Sequence, residues 1–417
     1  MTAARALPAF SAQGIEIELM IVDIDTLDPL PIADRVLQTE AGTQVNELQR
    51  GILGWSNEMA LHVIEIKSLD PHTPLAQLPT AFQREIRYLN RMLGHFRARL
   101  MPTAMHPWMD PRTQMHIWPH DNADLYAAYD RIFQCRSHGW ANLQSLHVNL
   151  PFRGDDEFAR LHAAVRLVLP LLPALAASSP LADGRRQSAL DYRMQAYAHN
   201  ADEFASIAGA IIPDNASSRA DYERQVLAPM YRDIAAHDPQ GILQQEWLNS
   251  RGAIARFDRS TIEIRVLDTQ ETIYADLAIA GAVIGMVRCL YQCGIPLTEQ
   301  QAIPTAALAA IFDACVQDAD QALVDNAQYL WLLGADVSAC AAGELLRLLA
   351  ARCDRHDRSG DATQQSLRTI LEHGPLARRI LRALDGDTSH ARLVSVYREL
   401  CDCLDGARMF APSERAR

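Results

Sequence analysis

The sequence lacks the basic excess that nucleic-acid-binding proteins need. Its 417 residues include 51 acidic and 39 basic side chains, which gives a formal net charge of −12. Because the binding of nucleic-acid phosphates requires a basic surface, this balance argues against a nucleic-acid partner. It fits a soluble cytoplasmic protein, which is our expectation.

The chain also lacks a long hydrophobic segment and a paired cysteine motif. The most apolar helical run, Leu277 to Val287, is bounded by Asp276 and Arg288 and is too short to span a bilayer. The eight cysteines are scattered, none forms a CxxC pair, and most lie in apolar helical stretches. These features predict a protein outside the membrane, in a reducing compartment.

Common nucleotide and hydrolase motifs are missing as well. There is no GxxxxGK[ST] loop, no GxGxxG that opens a βαβ unit, and no GxSxG or HExxH. A nucleotide would therefore have to bind through metal ions and arginine side chains.

Four segments alternate between apolar and polar residues and are rich in β-branched side chains, which is typical of strands. They are Gly14–Asp23, Leu61–Ser68, Ser145–Phe152 and Ser260–Asp268. Helices are predicted at Leu75–Leu100 and at Asp156–Ser178, and prolines 170 and 173 are expected to kink or end the second.

The chain changes character near residue 270, since from there to about 405 it is rich in alanine and leucine with helical periodicity. We therefore expect an α+β fold with a mostly antiparallel sheet, one face of which is lined with carboxylates, and a helical C-terminal third. Residues 1–13 are expected to be a leader without the apolar core of a secretory signal. A single catalytic domain is expected at about 14–410, with the sheet in about 14–270 and the helices in about 271–405.

The polar faces of the predicted strands carry side chains suited to metal binding. Successive side chains of a strand point to opposite faces, so residues two apart share one face. These faces carry Glu16 and Glu18, Glu65, His147 and Asn149, and Glu263 and Arg265, while Glu58 lies seven residues before Glu65. A sheet with one solvated face gives the same alternation, although such a face usually mixes Thr, Lys, Ser and Glu.

Carboxylates gathered on one face of a sheet repel each other, and a bound cation would offset that repulsion. Mg²⁺ and Mn²⁺ take oxygen ligands, and Mn²⁺ tolerates an imidazole, so a single histidine among glutamates favours these ions. The sequence signatures of zinc sites are absent.

Arginines cluster in two stretches near these strands. The clusters are Arg185, Arg186 and Arg193, and Arg251, Arg256, Arg259 and Arg265. Planar guanidinium groups suit bidentate binding of carboxylate or phosphate, although ordinary surface arginines would give the same composition. Arg265 stands apart, because it shares a strand face with Glu263 and would lie against the metal site.

The order of these motifs resembles the glutamate–cysteine ligases and, more closely, their bacterial carboxylate–amine ligase branch. The motifs are GIEIE, two glutamates seven residues apart, HVN and STIEIRVLD, with further likeness in AMHPW, in SSP…GR…YR and in Glu246–Thr269. The likeness extends over roughly residues 14–295. This family is similar to glutamine synthetase in fold, with an antiparallel sheet that holds metal-bound ATP.

The resemblance implies an ATP-dependent ligase that forms an amide or peptide-like bond through an acyl phosphate, with ATP and Mg²⁺ or Mn²⁺ as cofactors. The implied metal and phosphate ligands are Glu16, Glu18, Glu58, Glu65, His147 and Glu263. Arg265 would contact the γ-phosphate and act in catalysis beside Glu263. The cofactor-binding candidates are Arg185, Arg193, Arg256 and Asn149.

Two departures from the branch leave the metal site intact but bear on the substrates, which we expect to be amino-acid-like small molecules. HVNL at 147–150 replaces HVHVG, and SRGA at 250–253 replaces a proline-rich segment. Three other classes stay open: a metal-dependent amide hydrolase, a guanidino-type phosphotransferase on the same fold, and a non-catalytic binding subunit. A homo-oligomer is compatible with the sequence.

Overall fold

The computed structural model describes residues 6–353 and 360–411, so the first five residues of the predicted leader lie outside the described residues. The described strands, β1 to β12 in chain order, are Gly14–Asp23, Glu47–Arg50, Leu53–Asn57, Val63–Ser68, Ala98–Met101, Ser145–Pro151, Leu181–Ala182, Arg185–Arg186, Ala253–Arg256, Thr261–Asp268, Leu323–Val324 and Cys340–Ala341.

Helices surround the strands and dominate the C-terminal third. The described α-helices, α1 to α19, are Ala33–Ala41, Leu78–Gly94, Pro111–Gln114, Ala123–Phe133, His138–Ala141, Gly154–Val168, Leu172–Ala176, Tyr192–Ala198, Ala205–Ala208, Arg219–Tyr222, Ala228–Ile234, Ile273–Tyr291, Leu297–Gln300, Thr305–Asp318, Ala327–Leu332, Ala342–Cys353, Asp361–His373, Leu376–Leu384 and His390–Gly406.

Eight strands form one antiparallel sheet in the order β2-β3-β4-β1-β6-β10-β9, and β5 pairs with the second half of β1. The strand β1 therefore lies at the centre, between β4 and β6. Its apolar side chains Ile15, Ile17 and Leu19 are fully buried in the hydrophobic core, and its glutamates point to the opposite face. The predicted α+β architecture with a carboxylate-bearing face is confirmed.

The other face of the sheet is covered by long apolar helices. Helix α12 contacts α2, α6, α16 and α17 and joins the C-terminal helices to the sheet-bearing part. Two helical stretches, Gly154–Ala176 and Ile273–Tyr291, are long and apolar enough to cross a membrane, but their most apolar windows are 94% and 72% buried inside the protein. Their apolar surface is therefore used mainly for the core of this fold.

The structure differs from the predicted elements in the end of one helix and in several unpredicted strands. The helix expected over Leu75–Leu100 ends at Gly94, because Ala98–Met101 forms β5 and pairs with β1. The strands β2, β3 and β9 were not predicted, and neither were the two-residue strands β7, β8, β11 and β12. The break at the prolines is present, since α6 ends at Val168 and a 3₁₀ turn over Leu169–Leu171 precedes α7.

Candidate active site

A cavity of about 640 Å³ lies over the polar face of the sheet. Antiparallel pairing brings its acidic residues together, because Glu16 is opposite His147 on β6 and Glu18 is opposite Glu65 on β4. Glu263 on β10 is opposite Asn149, the next polar position of β6. Residues separated by up to 247 positions (263 − 16) therefore line one space, as the strand alternation predicted.

Two overlapping groups in this cavity have the spacing of metal ligands. Glu16, Glu65 and His147 can each offer a ligand atom within 4.8 Å of the others, and so can Glu18, Glu58 and Glu65. Glu65 belongs to both groups, so its carboxylate could serve in either set of ligands. An oxygen-rich set with one imidazole fits Mg²⁺ or Mn²⁺.

The protonation of these groups reflects an excess of negative charge. Burial raises the pKa of Glu58 well above its usual value, and the charges of Glu18 and Glu65 raise it further. Burial and the charge of Glu16 raise the pKa of Glu65 to about 7. Each raised pKa means that the ionised form is destabilised where it stands, and a bound cation would reverse that effect.

The same excess of negative charge raises the pKa of His147. Burial alone would lower the pKa of His147, but a hydrogen bond with Glu16 and the charges of Glu18 and Glu263 raise it to about 9. For Glu16, burial would raise the pKa, but the hydrogen bond with His147 and the charges of His147 and Lys67 together lower it. In the metal-free state, a protonated imidazole thus neutralises part of the cluster.

Polar neighbours hold two of the glutamates in place. The backbone N–H of Ser145 donates to Glu18 Oε2 at 2.7 Å. The side-chain amide of Asn149 donates to Glu16 Oε1 at 3.1 Å. Asn149, predicted to bind the cofactor, thus contacts a candidate metal ligand, while its own side chain is not among those lining the cavity.

Arg265 and Glu263 form an ion pair at one side of the cavity. Arg265 donates from Nη2 to Glu263 Oε1 at 2.6 Å, and its Nη1 lies 3.4 Å from the hydroxyl of Tyr197. Burial would raise the pKa of Glu263, but the charges of Arg265, His147 and Arg256 lower it to about 2. Glu263 is therefore a carboxylate that faces both the arginines and, at 4.0 Å, the ring of His147.

Of the three other arginines predicted to bind the cofactor, two also line this cavity. Arg256 lines the cavity, with Nη1 3.6 Å from Glu263 Oε2. Arg193 is 2% exposed and pairs with the buried Asp268, while its Nη2 has no hydrogen-bond partner among the described residues. A buried donor of this kind is a group that the acceptor oxygens of a ligand would satisfy.

The structure does not bring Arg185 to this site. It lies on the two-residue strand β8, its side chain is 71% exposed, and its nearest carboxylate partner is Asp183 at 3.9 Å. Sequence reasoning missed Lys67, Tyr126, Tyr129, Trp140, Tyr197 and Trp247, which also line the cavity. The spacing of Tyr126 and Tyr129, three residues apart in a helix, was the one local signal for any of them.

The comparison with protein families decides the identification. The model of glutamate-cysteine ligase family 2 matches residues 12–399. The chain belongs to this family. The predicted relationship is therefore confirmed, and it supports the prediction that the protein is a carboxylate–amine ligase. The hydrolase and phosphotransferase alternatives receive no support from the comparisons.

The individual relatives of this chain are distant in sequence. An uncharacterized protein of Archaeoglobus fulgidus is 29% identical over 392 residues, which cover 94% of this chain and 98% of that protein. A provisionally named glutamate–cysteine ligase 2 of Bradyrhizobium sp. (strain BTAi1) is 25% identical over 293 residues, covering 67% of this chain and 62% of that protein.

Among solved structures, a glutamate–cysteine ligase from Francisella tularensis in complex with AMP has the same fold. It superposes with a TM-score of 0.57 at 12% identity, over 95% of this chain and 89% of that one. At this identity the match shows the fold alone, and it agrees with the predicted α+β architecture.

Proposed function

We propose that this member of glutamate-cysteine ligase family 2 activates a small carboxylic acid with ATP and transfers the acyl group to an amine. The observation that carries the proposal is the pair of metal-ligand groups sharing Glu65, placed in one cavity with Arg265. A cytoplasmic location and amino-acid-like substrates belong to the same proposal.

In the first step, a carboxylate oxygen of the acid attacks the γ-phosphorus of ATP, and ADP leaves. In the second, the amine attacks the acyl carbon, phosphate leaves, and the amine loses a proton. When bound, Mg²⁺ or Mn²⁺ neutralises phosphate charge and polarises the transferring group. No protein nucleophile is needed, since this chemistry depends on positioning and electrostatics.

The residues divide into those that hold ions and those that hold phosphate. Glu16, Glu65 and His147 form one ligand group, and Glu18, Glu58 and Glu65 the other. Arg265 is positioned to stabilise the charge that develops on the transferring phosphoryl group, and Glu263 orients its guanidinium through the 2.6 Å contact.

Two further arginines complete the proposed phosphate site. Arg256 and the free Nη2 of Arg193 can donate to phosphate oxygens from within the cavity. Arg185, which is exposed outside the cavity, has no part in this scheme.

Hydroxylamine offers a direct test, because it converts an acyl phosphate into a hydroxamate whatever the natural amine is. The purified protein is incubated with ATP, Mg²⁺, hydroxylamine and a panel of carboxylic acids, with glutamate and other amino acids first. Hydroxamate that requires ATP and one of the acids is the expected result. ATP cleavage without hydroxamate for every acid of a broad panel would contradict the proposal.

A further inference from the structure

The cavity wall that faces the sheet is aromatic and apolar. We call the aromatic wall the set formed by Leu125, Tyr126, Tyr129, Trp140, Leu143 and Trp247, all of which line the cavity. All except Tyr129 are only partly buried, so their rings and methyl groups remain open to a ligand. The opposite side of the same cavity bears the carboxylates of the sheet.

The rings of the aromatic wall are held in fixed positions. The ring of Tyr129 lies between those of Trp140 and Trp247, with centroid distances of 5.3 Å and 5.8 Å. The indole N–H of Trp140 donates to the carbonyl oxygen of Asn200 at 2.8 Å. Rings that are already ordered lose little entropy when a ligand stacks on them.

None of the six residues of the aromatic wall carries a charge, and two arginines of the cavity are paired with carboxylates outside the wall. Arg265 contacts Glu263, and Arg193 contacts Asp268. A charged group of a ligand placed against the wall would lose its hydration without gaining a partner there. An aromatic or large apolar group would instead gain stacking and buried area.

The aromatic wall lies beside the reacting centre. At one end, the hydroxyl of Tyr126 accepts from the amide of Asn57 at 3.1 Å, next to the candidate metal ligand Glu58. At the other end, Tyr129 and Arg265 line the same cavity, and the charge of Arg265 opposes the rise that burial causes in the pKa of Tyr129. The aromatic wall thus lies between the candidate metal ligand Glu58 and Arg265, the residue proposed to contact the γ-phosphoryl group. The adenine of a bound nucleotide is separated from that group by two phosphates and a ribose.

We infer that one of the two substrates joined by this enzyme carries an aromatic or large apolar group that stacks on the aromatic wall. The inference rests on the proposed function, in which both the acid and the amine must reach the acyl carbon beside the γ-phosphoryl group. Either the acid or the amine could present this group, and an experiment with one arm for each substrate distinguishes them.

The first experiment compares substrates in two arms. In one, aromatic and aliphatic acids are compared with small polar acids in the hydroxamate assay. In the other, aromatic and small polar amines are each supplied separately with the best acid, and formation of the amide product is measured. We expect an aromatic or large apolar substrate to exceed its small polar analogue in kcat/KM by about 10-fold or more in one arm.

The outcomes separate this inference from the function on which it rests. Hydroxamate and amide formation that favour small polar substrates in both arms would overturn the inference and leave the proposed function standing. Failure of every acid to give hydroxamate would overturn the proposed function and the inference together.

A second experiment uses Trp247→Ala, with Trp247→Phe as the conservative variant. For the alanine variant we expect the KM of the preferred substrate to rise by about 10-fold, with the KM of ATP changed less than about 2-fold and with partial rescue by phenylalanine. The matched control is Trp331→Ala, since Trp331 is 55% exposed on α15 and is not among the residues lining the cavity. An equal loss of affinity for ATP would show that adenine occupies the wall and would overturn the inference.

Discussion

The protein buries charge in two places, and the two differ in balance. In the C-terminal third, Arg379 of α18 forms an ion pair with Glu271, and the exposed fractions of these side chains are 1% and 0%. The same guanidinium donates to the carbonyl oxygen of Phe410 at 3.0 Å. Over the sheet, by contrast, Glu58 and Glu65 share one cavity with Glu16, Glu18 and Glu263, and Lys67 lies 3.5 Å from Glu65.

The difference indicates which cluster exists for structure and which for function. A buried pair of opposite charges can be explained by the contacts it makes within the fold. A buried excess of one charge destabilises the fold, so packing does not account for it. Such an excess is accounted for when a ligand of opposite charge binds there.

Arg265 lies between these two cases, because it is paired with Glu263 but faces the cavity. We expect Arg265→Ala to lower hydroxamate formation by about 10³-fold, since arginines that stabilise phosphoryl transfer contribute on that scale. Lysine keeps the charge but loses the planar fork, so Arg265→Lys should lose about 10²-fold.

Turnover, ATP affinity and melting temperature of both Arg265 variants distinguish a catalytic role of Arg265 from a purely structural ion pair with Glu263. A purely structural pair predicts nearly full turnover in Arg265→Lys and a lower melting temperature in Arg265→Ala. The control is Arg185→Ala, which removes an exposed arginine outside the cavity and should change neither quantity.

Removing one partner of the balanced pair should mainly affect stability. Arg379→Ala leaves the carboxylate of Glu271 buried without its partner, which costs about 3–5 kcal/mol in the free energy of unfolding. Urea denaturation of the variant measures this loss. A change below about 1 kcal/mol would mean that this ion pair does not stabilise the packing of the C-terminal helices on the rest of the protein.

A third kind of buried ionisable group sharpens the comparison, because it is kept neutral. His162 is 2% exposed and packs between the rings of Phe158 and Tyr222, and burial lowers its pKa from 6.5 to about 3. Between pH 6.5 and about 3, His162 therefore binds a proton in the unfolded state but not in the folded state. The free energy of unfolding is unaffected by this histidine above pH 6.5 and decreases as the pH falls below that value.

At pH 5 this loss amounts to about 2 kcal/mol. In His162→Leu the decline in stability between pH 7 and pH 5 should be smaller by about that amount, as measured by urea denaturation at both pH values. His72→Leu replaces an exposed histidine and serves as the control. Identical pH dependence in the wild type and His162→Leu would contradict the assignment.

In the unbalanced cluster, removal of a charge should have the opposite effect on stability. Because ionised Glu65 is destabilised by burial and by Glu16, Glu65→Gln should stabilise the metal-free protein by about 1 kcal/mol at pH 8. The same variant should lose any stabilisation by Mg²⁺ or Mn²⁺. Glu47→Gln, which changes an exposed carboxylate at the cavity rim, should do neither.

Much of the site could be predicted from the sequence, because strand alternation is a local property. The alternation in β1, β6 and β10 assigned Glu16, His147 and Glu263 to one face before any tertiary information was used. Their convergence then follows from antiparallel pairing around β1.

What could not be predicted depends on contacts between distant segments. The helical pattern over Leu75–Leu100 gave no sign that its last residues pair with β1 as a strand. Arg185 and Arg193 look alike in sequence, yet one is exposed and the other is buried against Asp268. In the aromatic wall, Tyr129 and Trp247 are separated by 118 positions (247 − 129) and meet only in the folded chain.

The central claim, that the carboxylate cluster on the sheet acts through bound divalent cations, is tested most directly by titrating ATP calorimetrically into the protein in Mg²⁺ and in EDTA. Without a cation, the triphosphate would face the carboxylates of Glu16, Glu18 and Glu65. We predict that ATP binds in Mg²⁺ and that binding in EDTA is weaker by at least about 100-fold. Undiminished affinity for ATP in EDTA would contradict the account.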